Sequence, residues 1–271
     1  MACGLGIPLF ANREVLVSAS REKHSVFVGA YDAWLFDLDG VITDTASVHA
    51  AAWKGTFDGY LEEVSKRGRT RFVPFEVDPD YYEYVDGRPR YDGVDAFLRS
   101  RGIVLPWGES DDPPSAETVC GLGNRKNRTF KEILLVRGVE VFESSVAMVR
   151  RLKGRGARVA VVTSSRNGGA VLETAGIMDL FDARVDGNVA AEKKLAGKPA
   201  PDTFEHAAGM LGAAPERSVV VEDAVSGVRA GRAGGFGLVI GVARGEDPEI
   251  LRESGADVVV NDLVHLEPVW G

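Results

Sequence analysis

The sequence predicts an α/β fold: a parallel sheet covered by helices on both faces, with a helical domain inserted after the first core strand. Three observations predict it. From about residue 144 onward, short β-branched runs alternate with segments of helical periodicity, the pattern of doubly buried strands joined by crossover helices. A matching apolar run, Trp34-Leu35-Phe36, stands far upstream of the others. The stretch between, from about Thr45 to Arg137, shows no such alternation.

The elements follow in order. About thirty residues precede the first core strand, and within them Val15 to Val17 and Val26 to Val28 suit either strands or a loosely held extension. Trp34 to Phe36 is a buried strand. Ser47 to Val64 and Asn127 to Leu135 read as helices, separated by turn-rich pieces such as Trp107-Gly108-Glu109-Ser110-Asp111-Asp112-Pro113-Pro114. Ser145 to Arg155 spaces Val146, Val149 and Leu152 helically. Ala157 to Val162 is strand, Gly169 to Met178 helix, and Pro201 to Leu211 a helix opened by proline. Val219 to Val221 is strand, Ala224 to Ala233 a small-residue helix, and Leu238 to Val242 and Ala256 to Val260 complete the set of strands. The chain divides into an N-terminal extension (1–29), an α/β core (30–44 and 141–271) and an inserted helical cap (45–140).

Composition narrows the function. Hydrophobic residues at 45% and charged residues at 27% describe an ordinary globular protein. A net charge of −8 argues against a general nucleic-acid partner, and the short basic run Lys66 to Arg71 reads as a solvated loop. Cys3 and Cys120 supply neither a disulfide framework nor zinc spacing, so a reducing, cytoplasmic setting is expected. No apolar run approaches the roughly 18 to 20 residues of a membrane span. Met1 to Ala11 lacks the basic leader of a signal peptide.

The chemistry concentrates at strand ends. In Asp37-Leu38-Asp39-Gly40-Val41, carboxylates at i and i+2 of an extended segment point to one side, and Gly40 lets the chain turn directly after them. A calcium loop counted from Asp37 would need glycine and glutamate where Ile42 and Val48 stand, which excludes that reading. Three later strand ends carry useful groups: Val162-Thr163-Ser164-Ser165-Arg166-Asn167, Gly197-Lys198-Pro199-Ala200-Pro201-Asp202, and Val221-Glu222-Asp223-Ala224. Each alone suits a helix cap or a surface charge. Together they suit phosphoryl transfer. A phosphate dianion approaches a carboxylate nucleophile only when their repulsion is neutralised. Magnesium among Asp37, Asp223 and Glu222, with Lys198 beside them, would supply that neutralisation. Thr163 and backbone amides would hold phosphoryl oxygens.

Phe36-Asp37-Leu38-Asp39-Gly40-Val41-Ile42-Thr43-Asp44-Thr45 with His49, Trp53 and Lys54, then Ser165-Arg166-Asn167-Gly168, Lys198-Pro199-Ala200-Pro201-Asp202 and Glu222-Asp223, resemble the four motifs of the haloacid dehalogenase superfamily of phosphatases and phosphomutases. The resemblance is closest to its β-phosphoglucomutase-like branch. It covers about 33 to 262 and both ends of the inserted domain. It implies a three-layer Rossmann-like core with a helical cap. Asp37 would be the nucleophile that becomes an aspartyl phosphate. Asp39 would be the general acid/base, with its carbonyl on the metal, and Glu222 and Asp223 would bind Mg2+. Thr163, Ser164 and Lys198 would hold the transferring phosphoryl group. Arg166 and Asn167 would hold the distal phosphate or sugar. Thr45, His49 and Trp53 recur every four residues, so a helix would carry them on one face, aimed at the site. From the cap, Arg90 would grip the non-transferring phosphate, with Arg88 close enough to compete for that role, and Lys126 would contact the substrate.

The expected activity is interconversion of β-D-glucose 1-phosphate and glucose 6-phosphate through β-glucose 1,6-bisphosphate. A sugar-phosphate phosphatase is the alternative, and a binding module that merely kept the fold is a third reading. The expected partner is a small sugar phosphate, with no membrane, and a monomer is expected because the cap already covers the site. Three departures bear on the sugar: extra cap material around 62–82 and 105–123, Asp86 in place of the usual lysine before the cap glycine, and Arg166 where lysine is common.

Overall fold

The computed structural model describes residues 24–68, 71–85 and 88–270. Val15 to Val17, Cys3, Asp86 and part of the basic run lie outside those residues. The described chain begins with strand β1 (His24–Phe27), followed by β2 (Ala33–Asp37) and the two-residue β3 (Thr43–Asp44). Helices α1 (Ala46–Lys66), α2 (Arg90–Ser100) and α3 (Val119–Arg137) come next, and β4 (Glu140–Val141) returns antiparallel beside β3. Then follow α4 (Glu143–Lys153), β5 (Arg158–Val162), α5 (Gly168–Thr174), β6 (Ala183–Val185), α6 (Gly187–Lys193) and α7 (Asp202–Met210). The chain closes with β7 (Ser218–Glu222), α8 (Val225–Ala233), β8 (Leu238–Val242), α9 (Pro248–Glu253), β9 (Val258–Val260) and β10 (Leu266–Val269).

Six strands form one parallel sheet in the order β6-β5-β2-β7-β8-β9. All five residues of β2 are buried, as a central strand requires. Successive side chains point to opposite faces, and the packing follows. Trp34, Phe36, Val159, Val161, Val219 and Val221 join one apolar cluster. Ala33, Leu35, Ala160, Val162 and Val220 join another. The chain adds β5 and β6 on one side of β2 and then crosses to β7 on the other. This reversal opens a crevice at the carboxyl ends of β2, β5 and β7, where open α/β sheets bind ligands.

The insertion has its own core. Trp53, Phe57, Tyr60, Phe75, Phe97, Val119 and Leu122 form a third cluster, with the Phe57 and Phe97 rings 4.1 Å apart. The helical cap and parallel core predicted from the sequence are therefore present. Some elements go beyond the prediction. Helix α2 occupies a stretch that read as turn-rich; it starts directly after Pro89 and buries Val94, Phe97 and Leu98 in the third cluster. β6 is three residues with a charged middle, Ala183-Arg184-Val185, too short for a periodicity to register. Val26 lies in strand, since β1 pairs in parallel with β10, which ties down residues 24–27 of the expected extension. Among the described residues, no helix is long and apolar enough to cross a membrane.

Candidate active site

The acid pair stands where β2 ends. Asp37 is buried at 6% exposure and faces Lys198, whose ammonium donates to both Asp37 Oδ1 and Glu222 Oε1. The Lys198 side chain is 7% exposed, and its Nζ lies 4.9 Å over the Phe204 ring. Burial opposes its charge, but Asp37 and Glu222 outweigh that and hold the ammonium above the ordinary lysine range. Burial pushes the Asp37 carboxyl well above the usual carboxylate range; Lys198 counters this, and Glu222, Asp223 and Asp39 add to it.

Asp39 is held from two sides. Thr45 Oγ1 donates to its Oδ1 at 2.5 Å, and Thr163 Oγ1, from the end of β5, donates to its Oδ2 at 2.9 Å. Thr163, expected on phosphoryl oxygens, thus fixes the second acid here. Gly40 takes φ +87°, and a Cβ there would sit 1.8 Å from Asp223 Oδ2, so only glycine lets Asp223 come this close. Arg244 pins the same turn. Its Nη1 donates to the carbonyls of Gly40 (2.7 Å) and Val41 (3.1 Å), and its Nη2 reaches Ser145 and Asp262. The guanidinium stacks 3.7 Å from the centre of the Phe142 ring, beside the strands that lead into and out of the cap. The sequence does not single out Arg244, because it lies two residues past β8 and far in the chain from its acceptors.

The donor set suits a hard divalent cation. Asp37, Glu222 and Asp223 each bring an oxygen within 4.8 Å of the others, and carboxylate oxygens are what Mg2+ prefers. Glu222 already satisfies Oε1 with Lys198 and Oε2 with the amides of Asp223 and Ala224, both at 3.0 Å. Asp37 and Asp223 are less deeply buried than Glu222. Three carboxylates against one ammonium leave uncompensated negative charge. Accordingly, burial, with Glu222 next, raises Asp223 to about 8.

A stability prediction follows for the metal-free protein. The folded-state pKa of Asp223 lies above its ordinary value of 3.8, so between those values the folded form keeps a proton that the unfolded chain releases. Its contribution to stability is full below the unfolded pKa and is lost as pH rises toward about 8. Bound Mg2+ competes with that proton, so the rise in Tm on adding Mg2+ should be larger near pH 8 than near pH 5. Equal shifts at both pH values would count against a metal site here.

A second cluster lies on the cap side. Lys126, 4% exposed, contacts His49 Nδ1 at 2.7 Å and sits 4.9 Å over the Trp53 ring and 5.1 Å over Phe130. Burial, then the neighbouring Arg90, lowers Lys126 to about 7, while Asp39 acts in the opposite sense. Burial, then Lys126 and Arg90, holds the His49 imidazole well below its usual range, so the neutral ring accepts through Nδ1. Arg90 opens α2. Its Nη2 donates to Asn127 Oδ1 at 3.1 Å, and Asn167 donates to the same oxygen at 2.9 Å. Arg166 acts on Arg90 as a like charge. The fold thus brings Asp37, Asp39, Thr45, Thr163, Lys198, Glu222 and Asp223 together, and His49, Trp53, Lys126, Arg90 and Asn167 into a cap-side group. Ser164 and Arg166 are exposed on the loop after β5. Asn127 had no assigned role in the sequence. Its signal was only its place beside Lys126, about 100° around the helix.

Known proteins resemble this chain in sequence and in fold. The profile of the haloacid dehalogenase-like hydrolase family matches residues 31–235. A β-phosphoglucomutase of Mycobacterium bovis is 51% identical over 237 residues, covering 86% of this chain and 90% of that protein. A β-phosphoglucomutase of Bacillus subtilis is 31% identical over 235 residues, covering 86% and 91%. The crystal structure of β-phosphoglucomutase from Clostridium difficile shares the fold, with a TM-score of 0.66 at 24% identity over 88% of this chain and 93% of that one. On the matched motifs and this extent of identity, the chain belongs to the haloacid dehalogenase-like hydrolase family.

Proposed function

We propose that this protein is a Mg2+-dependent β-phosphoglucomutase, interconverting β-D-glucose 1-phosphate and glucose 6-phosphate by way of β-glucose 1,6-bisphosphate. The observation that carries the reading is the second cationic group. Arg90, Lys126 and Arg166 gather beside the cap–core seam, apart from the Asp37–Lys198 centre. A mutase must hold two phosphates at once, one reacting and one not. High identity to β-phosphoglucomutases supports the same reading. The core spans 30–44 and 141–271, the cap 45–140, and the enzyme acts as a cytoplasmic monomer.

In this scheme the Asp37 carboxylate attacks phosphorus, and the bond from phosphorus to the sugar oxygen breaks. Asp39 gives that oxygen its proton. In the reverse sense, Asp39 takes the proton of the sugar hydroxyl as it attacks the aspartyl phosphate. Lys198 offsets the charge of Asp37 and the incoming phosphoryl oxygens. Thr45 and Thr163 orient Asp39, a hydroxyl on each oxygen. Bound Mg2+, held by Asp37, Asp223 and the Asp39 carbonyl with Glu222 nearby, would neutralise phosphoryl charge. The cap excludes water, so the phosphoryl group passes to sugar. The bisphosphate turns around between its two transfers, and the group at the seam holds whichever phosphate is idle.

The test uses purified protein, Mg2+, β-glucose 1-phosphate and a trace of β-glucose 1,6-bisphosphate, with glucose 6-phosphate and free phosphate followed together. Glucose 6-phosphate without free phosphate supports the mutase. Free phosphate as the main product overturns it in favour of a phosphatase. Arg90→Ala is expected to lower mutase turnover by about 10²-fold, the effect of losing one charge-assisted contact, while release of phosphate from a small monophosphate changes little. Equal losses in the two assays would argue against a second phosphate site at Arg90.

A further inference from the structure

The turn that follows the acid pair closes on itself through part of its backbone only. Gly40 N donates to Thr43 O at 2.8 Å, and Ile42 N and Thr43 N both donate to Leu38 O at 2.9 Å. The carbonyls of Gly40 and Val41 take no part in these bonds. Val41 is fully buried, and a buried carbonyl without a donor forfeits the free energy of a hydrogen bond. Arg244 supplies the donor, with Nη1 on both oxygens at 2.7 and 3.1 Å.

Arg244 is itself held. Its Nη2 donates to Ser145 Oγ at 3.1 Å and Asp262 Oδ2 at 3.2 Å, and its guanidinium lies 3.7 Å from the centre of the Phe142 ring. The side chain is 14% exposed. The partners are fixed in turn. Asp262 Oδ1 accepts from Val264 N at 2.8 Å, and Phe142 N donates to Ile42 O at 2.9 Å. All of these groups belong to the α/β core, and none of them reacts. A planar fork that serves four acceptors and lies on a ring holds its neighbours in one orientation.

The neighbour that matters is Asp39. Thr45 and Thr163 place a hydroxyl on each oxygen of its carboxylate, but those bonds aim the carboxylate only while its backbone stays in place. Asp37 has restraints of its own. It still pairs with Val162 in the sheet, and Lys198 donates to it. Asp39 has left that strand, and its backbone rests on the turn, through a single bridge to Thr43. The clamp on Gly40 and Val41 therefore bears on the second acid more than on the first.

We propose that Arg244 is a positioning residue for proton transfer: by clamping the Gly40 and Val41 carbonyls it holds the Asp39 carboxyl in line with the sugar oxygen, while attack by Asp37 does not depend on it. The proposal rests on the phosphoryl-transfer reading of the site and adds what keeps its acid/base in register. Asp39 must give a proton to the sugar oxygen as the bond to phosphorus breaks, and take one when a sugar hydroxyl attacks the aspartyl phosphate. A donor whose leaving group departs as a stable anion needs no such proton. Acetyl phosphate is one. Asp37 attacks phosphorus, the bond from phosphorus to the acetyl oxygen breaks, and acetate leaves with the electron pair. The two donors separate what Asp39 does from what Asp37 does.

The experiment compares wild type, Arg244→Ala and Arg244→Lys at saturating Mg2+. It measures steady-state turnover of β-glucose 1-phosphate with a trace of β-glucose 1,6-bisphosphate, and the rate at which acetyl phosphate forms the Asp37 adduct, read by intact mass. In Arg244→Ala, kcat for the sugar phosphate is expected to fall by about 10²-fold, the scale of a misplaced proton-transfer group, with KM changed less than about twofold. Adduct formation from acetyl phosphate is expected to stay within about threefold of wild type. Arg244→Lys keeps the charge without the fork and should show the same selective loss at about tenfold. If Arg244→Ala fails to fold, Arg244→Lys carries the comparison. Equal losses with the two donors would overturn the proposal, because a disturbed nucleophile, metal site or fold affects both. So would sugar turnover in Arg244→Ala within about threefold of wild type. A wild type that forms the adduct but releases free phosphate from β-glucose 1-phosphate overturns the mutase reading alone, and the ratio of the two rates still tests Arg244.

Discussion

Asp37→Asn is expected to remove phosphoryl transfer by roughly 10⁴-fold or more, because an amide oxygen is too weak a nucleophile to form the covalent intermediate. The residue sits at the carboxyl end of β2, buried, with Lys198 on its Oδ1. Asparagine preserves the shape of that contact and removes one negative charge from a space shared with Glu222 and Asp223. The metal-free variant should therefore keep its stability or gain some. Steady-state turnover of β-glucose 1-phosphate, paired with intact-mass detection of a phosphoryl adduct, reads both halves of the claim. Turnover within tenfold of wild type, or an adduct on the variant, would remove Asp37 from the role of nucleophile.

Lys198→Met should be the most damaging change for stability. Lys198 donates to Asp37 and Glu222 at once, and those two carboxylates are among the most buried charges described. Methionine keeps the length and the packing over Phe204 but leaves two buried carboxylates without their ammonium. Removing one member of a buried ionic group costs on the order of 3–5 kcal/mol. For a chain of this size that corresponds to a fall in Tm of roughly 10 °C. The pH dependence gives the mechanism. The folded pKa of Lys198 is raised, so its contribution is complete at neutral pH and is lost only as pH climbs through that raised value. Without the ammonium, the carboxylates can relieve their repulsion only by taking up protons, as the upward shift of Asp37 already indicates. The Tm gap between variant and wild type should therefore narrow from about pH 8 to about pH 5. A gap that is small, or that does not change with pH, would show that Lys198 is not the counter-charge of this cluster.

Much of this site was legible in the sequence, for a physical reason. Strands buried on both faces need continuous apolar runs, and such runs mark their own carboxyl ends. Asp37, Thr163 and Glu222 could be read because each terminates a run such as Trp34-Leu35-Phe36 or Val219-Val220-Val221. The four-residue spacing of Thr45, His49 and Trp53 survives in the structure as one sequence of contacts, from Asp39 through Thr45 at the start of α1 to His49 and Trp53 against Lys126. Short or mixed elements were not legible. β6 offers three residues with arginine in the middle, and α6 has no buried residue to mark its inner face. Arg244 and Asn127 were silent because their significance lies in acceptors and donors far away in the chain.

By itself, the sequence determined which residue types could carry phosphoryl transfer and at which strand ends they stand, since local periodicity and turn chemistry depend on near neighbours. Only the tertiary structure decided how they are used. It turned Thr163 onto Asp39, filled both oxygens of Glu222 with Lys198 and backbone amides, and set Asn127 between Arg90 and Asn167. Those assignments depend on the order of strands around β2 and on how the inserted helices pack over the sheet. The bonds from Arg90 to Asn127, Asn167 to Asn127 and Thr163 to Asp39 join residues 37, 40 and 124 positions apart, and exist only once that packing has brought them within about 3 Å.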